Sequence, residues 1–167
     1  MQGLAELDAQ LASTEVHTRR AAAERAAHYG PDAQPLAVAL VRACGDEDEQ
    51  VREWASGALE GLGPPPANAV DELAALLAHP QSDVGYWAAT LLGRLKQSGA
   101  GAVPALIETL DRSPTAAVRQ RVAWALRQIG PAARAALPSL QLAVRSPDVR
   151  LARLAQQAVS AINKDHR

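Results

Sequence analysis

The sequence predicts an all-α fold: an α-solenoid of about five helical hairpins, each 33–34 residues long, with ten helices in all. Three observations predict it. Apolar residues recur at helical spacing, the whole pattern repeats with a nearly fixed period, and the composition suits helices. Ala and Leu dominate, aromatics are only 3% and Phe is absent. Ala and Leu lose little on entering a helix, whereas the aromatic residues that suit strands are scarce.

The repeat is anchored at Thr18, Val51, Val84, Val118 and Leu151, spaced 33, 33, 34 and 33. Counting the anchor as place 0, place 7 holds Arg25, Ala58, Leu91, Ala125 and Ala158. Place 8 holds Ala26, Leu59, Leu92, Leu126 and Val159, and place 11 holds Tyr29, Leu62, Leu95, Ile129 and Ile162. The first repeat is the loosest match and the last is partly degraded, as terminal repeats often are. A second type of helix lies between these. Its apolar positions are Leu4, Ala37, Val70, Val103 and Leu137; then Leu7, Leu40, Leu73, Leu106 and Leu140; then Leu11, Cys44, Leu77, Leu110 and Val144. Steps of three and then four put each trio on one helix face. The order therefore starts with a lone helix of the second type and ends with one of the first. One hairpin cannot bury its stripe alone, so neighbours must stack to make a continuous core.

Punctuation supports these boundaries. Gly30-Pro31, Gly63-Pro64 and Gly130-Pro131 end helices, with glycine expected in the left-handed conformation. Asp48, Thr115 and Asp148 stand three places before an anchor, where a side-chain oxygen can cap a helix start. Pro104 and Pro138 fall in a first turn, where a missing N–H costs little.

The stretch AVPALIETLDRSPTAAVRQRVAWALRQIG (102–130) resembles a HEAT repeat of the short type found in phycobilin-lyase-like proteins. The resemblance runs over nearly the whole chain. It implies a right-handed superhelix in which the Val-Arg helices line the concave side. Gly85 and Ala152 depart from it, each replacing the motif arginine, so the bonds of that arginine should be weaker there. The chain reads as one domain, 1–167, whose start almost directly in a helical pattern fits an excised domain.

Four of the five aromatic residues share one flank of the first-type helices. Each residue turns about 100°, so places 0, 4, 7, 8 and 11 form the core stripe and places 2, 3, 6 and 10 the adjoining flank. Trp54 and Trp87 are at place 3, Tyr86 at place 2 and Trp124 at place 6. With Glu53, Arg94, Arg121 and Arg127 beside them, these residues are the candidate partner-binding set, on a concave groove if the resemblance holds. Trp, Tyr and Arg are the residues most enriched at interface hot spots. Arg121 and Trp124, three apart, can stack as a cation–π pair. Gly57 and Gly93 would open space beside the rings. The competing reading is packing: rings wedged between adjacent helices as semi-buried spacers.

Nothing in the pattern points to catalysis. His17, His28, His79 and His166 form no paired metal motif, and no phosphate-binding glycine loop or nucleophile elbow occurs. His79, before Pro80, reads as a cap. Cys44 lies on an apolar face and reads as a buried, inert thiol. The acids of 46–49 read as helix-start residues rather than a calcium loop. No cofactor and no metal are expected. The net charge is −1, yet residues 1–83 hold 5 Lys+Arg against 14 Asp+Glu, and residues 84–167 hold 12 against 4. That asymmetry suits steering of a polar partner or head-to-tail self-association. No signal peptide or membrane span is visible. The expectation is a non-catalytic cytoplasmic scaffold that binds a protein or peptide. The alternatives are a nucleic-acid-binding protein, with arginines for phosphates and rings for bases, and a chromophore-lyase-type subunit.

Overall fold

The computed structural model describes residues 2–166, with side chains over 3–164. Among the described residues there are ten α-helices, in the expected alternation. They are α1 (Gln2–Leu11), α2 (Val16–Tyr29), α3 (Ala37–Ala43), α4 (Glu49–Gly61), α5 (Val70–Leu76), α6 (Ser82–Arg94), α7 (Val103–Arg112), α8 (Ala116–Ile129), α9 (Leu137–Ala143) and α10 (Val149–Ile162). The helices form two compact units, Met1–Ala69 and Val70–Arg167.

In Met1–Ala69, α2 lies along α4, while α1 and α3 form a second layer against them. In Val70–Arg167, α6, α8 and α10 lie side by side, backed by α5, α7 and α9. The core follows the aligned stripe. Place 4 is Ala22, Ala55, Ala88, Val122 and Ala155, all fully buried. Such small side chains let neighbouring helix axes approach closely. Leucines fill the space between layers: Leu7, Leu40 and Leu59 in the first unit, and Leu73, Leu92, Leu106, Leu126 and Leu140 in the second. Each contributes about 2 kcal/mol by leaving water. The stripe is incomplete in the first repeat. Arg25 and Tyr29 are exposed, and Arg25 donates to Gln10 Oε1 at 3.4 Å. A guanidinium has no reason to enter a dry core without a carboxylate to meet it.

The turns between the two helix types carry a second periodic device. Ser13, Asp46, His79, Ser113 and Ser146 each accept a hydrogen bond from the backbone N–H two residues on, at 2.9–3.3 Å. His79 is therefore a turn residue: its Nδ1 accepts from the Gln81 N–H just before α6. Asp48 and Asp148 cap α4 and α10 through the N–H groups of Val51 and of Arg150 and Leu151. Thr115 does not cap α8 through its side chain. There Ser113 holds the turn, through the Thr115 N–H itself.

Two of the glycines at place 12, Gly30 and Gly130, differ from expectation in one dihedral. Gly30 and Gly130 have φ of 53° and 72°, but ψ of −131° and −141°, outside the left-handed helical region. The proline that follows disfavours a compact ψ before it. The chain instead enters a 3₁₀ turn, Gly30–Leu36 or Gly130–Ala136. Lys96 occupies the same place in the third repeat and also has positive φ, 51°.

The motif arginine ties α2 and α4 to the turn before each, and α8 to the last turns of α7. Arg19 donates to the carbonyls of Ser13 and Thr14, Arg52 to those of Asp46 and Glu47, and Arg119 to that of Leu110. At Gly85 the arginine is not simply lost. A Cβ built there would sit 2.9 Å from Leu77 O, so glycine lets α6 close onto the end of α5. Direct backbone proximity replaces the side-chain tether.

Candidate functional site

The eight candidate residues divide between the two units. Glu53 and Trp54 lie on α4; both are exposed, and Trp54 tilts against the His28 ring of α2 at 6.0 Å. Tyr86, Trp87, Arg94, Arg121 and Trp124 come together in Val70–Arg167. Tyr86 and Trp87 meet edge to face at 5.8 Å on α6. The Arg121 guanidinium of α8 stands over both the Tyr86 ring, at 4.4 Å, and the Trp124 ring, at 5.1 Å. It also donates to the Tyr86 hydroxyl. Arg94 lies 5.9 Å from the Trp87 ring centre. Arg127 stands apart: it donates to Gln157 Oε1 on α10 at 3.0 Å.

None of these four aromatic residues is buried: Trp54 is 39% exposed, and Tyr86, Trp87 and Trp124 keep intermediate exposure. The glycines do not behave alike. Beside Gly57 a Cβ would meet nothing within 4 Å, so the surface there is open. At Gly93 it would lie 2.5 Å from Trp124 Cζ3 and 3.0 Å from Ala125 Cα. Gly93 therefore makes no free space; the Trp124 indole occupies it, because the missing side chain lets the ring atoms Cζ3 and Cε3 close onto α6.

A small cavity of about 170 Å³ opens at this cluster, lined by Tyr86, Ala117, Gln120, Arg121, Trp124, Arg150 and Leu154. The sequence reading missed Gln120, Arg150 and Leu154. The register could have found Leu154: it is place 3 of the fifth repeat, equivalent to Trp54, Trp87 and Arg121. Gln120 is fixed by donating to Asp148 Oδ2 at 2.8 Å. That bond, followed by the Leu151 N–H, holds the Asp148 carboxyl below the usual carboxylate range. Burial, and then the nearby Arg121 charge, lower the Arg94 pKa. Neither Arg121 nor Arg150 is ion-paired with any described carboxylate.

A larger cavity, about 470 Å³, lies between the turns around 78–82 and 112–115, walled by Ala74, Leu77, Pro80, Pro114 and Val118. Among the described residues no three His, Cys, Asp or Glu are grouped as metal ligands. The side chain of His166 lies outside the described residues. Cys44 is buried, with Sγ 3.6 Å from Ser56 Oγ. The acids of 46–48 are held by arginines: Asp46 and Glu47 by Arg19, Asp48 by Arg20. Among the described residues no helix is long and apolar enough to cross a membrane.

The family model of HEAT repeats matches residues 70–160, more than half of the chain. The chain belongs to the HEAT-repeat family. Among solved structures, an engineered protein superposes with a TM-score of 0.65 at 24% identity, covering 97% of this chain and 80% of that one. A designed armadillo repeat protein in complex with the peptide (KR)4 gives a TM-score of 0.66 at 17% identity, covering 96% and 82%. The complex of CpcE and CpcF of phycocyanin lyase from Nostoc sp. PCC7120 gives 0.64 at 27% identity, covering 94% of this chain and 64% of the matched chain. No curated protein matches the chain in sequence.

Proposed function

We propose that this HEAT-repeat protein is a non-catalytic cytoplasmic scaffold that binds a protein segment or peptide. The surface that binds it is the ring-and-arginine cluster of α6 and α8. The single observation that carries the reading is the Tyr86–Arg121–Trp124 stack, a rigid group of hot-spot side chains held outside the core. A group ordered before binding avoids much of the entropy cost of association. The designed armadillo neighbour is recorded with a peptide, which fits the reading at the level of fold.

The test begins with peptides selected from a random display library against the full chain. A selected peptide is then titrated against wild type and Trp87→Ala. Binding should weaken by roughly thirtyfold, the size of a hot-spot loss, while helix content and Tm stay nearly constant. Unchanged binding with a Tm lower by several degrees would make the ring a packing element instead. The likeness to the phycocyanin lyase complex favours a second reading, a chromophore-lyase-type subunit. An absorbance change on adding a bilin would support it.

A further inference from the structure

The aromatic cluster is also electrically one-sided, and the reading that follows rests on the scaffold reading above. Arg121 and Arg150 both line the 170 Å³ cavity. The acid nearest in the register, Asp148, is already engaged: its oxygens accept from Gln120 Nε2 and from the Arg150 and Leu151 N–H groups. Arg121 and Arg150 therefore stand on the cavity wall with neither guanidinium paired to a described carboxylate. Two rings and the Tyr86 hydroxyl fix the Arg121 guanidinium in place, which leaves the rest of its planar donor fork available in a set direction.

We infer that this cavity receives a carboxylate, the Asp or Glu side chain of an acidic peptide segment, with Arg121 and Arg150 as its two donors. Its volume supports a single side chain, since it lies below the roughly 300 Å³ at which small-molecule pockets begin. A nucleic acid fits less well, because phosphate binding draws affinity from a long row of cations, whereas here they converge on one point. A second copy of the chain is the competing occupant, since Glu53 of α4 is exposed, and the sedimentation measurement below separates it from a peptide.

The experiment is the same library selection, run on wild type, Arg121→Gln and Arg150→Gln. Arg150 is exposed and its side chain bonds to none of the described residues, so its variant should keep the wild-type Tm. Wild type should enrich peptides containing Asp or Glu. Replacing the acid of a selected peptide by its amide, or either arginine by Gln, should weaken binding by about ten- to a hundredfold. Selected peptides without acids would overturn the inference and leave the scaffold reading standing; recovery of no peptides would overturn both. Two further outcomes would also overturn it. One is displacement of the peptide by a tighter-binding oligothymidylate with the same arginine dependence. The other is a wild-type dimer in sedimentation that Arg121→Gln dissolves.

Discussion

The same repeat position is used in opposite ways in the two units. In Met1–Ala69, place 2 is Arg20, which binds the Asp48 carboxylate 28 residues on; its neighbour Arg19 is clasped by Asp46 and Glu47. In Val70–Arg167, place 2 of the fourth repeat is Gln120, which reaches Asp148 across the same 28-residue step with a neutral amide. The arginine has moved one residue, to Arg121, and faces rings rather than acids. Where cations and acids are matched within a unit, arginine serves the architecture. Where no described acid pairs with it, the same residue type stacks on rings instead.

The glycines give the largest expected contrast between the units. Gly93→Ala pushes a methyl into the Trp124 ring and the Ala125 backbone. It should destabilise the protein by about 2 kcal/mol, as overpacking of a tight contact does. Gly57→Ala meets nothing and should stabilise by about 1 kcal/mol through helix propensity. Urea unfolding of both variants tests the pair, and equal effects would erase the distinction between open and filled flanks.

A smaller effect is expected at place 12. Gly30, Gly63 and Gly130 carry positive φ at no steric cost, while Lys96 carries it with a Cβ. Lys96→Gly should raise stability by about 0.5–1 kcal/mol, the relief of left-handed backbone less the entropy glycine adds to the unfolded chain. A lower Tm would show that the lysine side chain itself stabilises the turn.

The subtlest contrast is in acid. Asp48 is lowered to about 2, first by its bond to Arg20 and also by the Val51 N–H. Because the folded value lies below the unfolded one, the stability it brings is present above about pH 4 and is lost as pH falls towards 2. Arg20→Gln gives Asp48 an amide partner like that of Asp148, so its carboxyl should titrate higher than in wild type. Carboxyl NMR titration reads this directly, and an unmoved Asp48 would show that the backbone caps alone set it.

Much of the architecture was legible in the chain. The three-four spacing centred on Leu7, Leu40, Leu73, Leu106 and Leu140 marked the buried face of every second-type helix, because burial and helical period act locally. The turn residues Ser13, Asp46, His79, Ser113 and Ser146 were periodic too, but they differ in chemistry and share only an acceptor atom. Their common role emerged from hydrogen bonds rather than residue type. The cluster was half legible: place arithmetic put Tyr86, Trp87 and Trp124 on one flank and paired Arg121 with Trp124. It could not foresee that Trp124 would lie on Gly93, or that Arg121 would reach back 35 residues to Tyr86.

By itself the sequence determined the repeat, its helix boundaries and the stripe that must be buried, since these follow from period, propensity and punctuation along the chain. Only the tertiary structure decided which arginines would be neutralised and which would stand against rings around an open cavity. That choice depends on what lies across from a side chain in the next repeat, a distance in space that no spacing along the chain records.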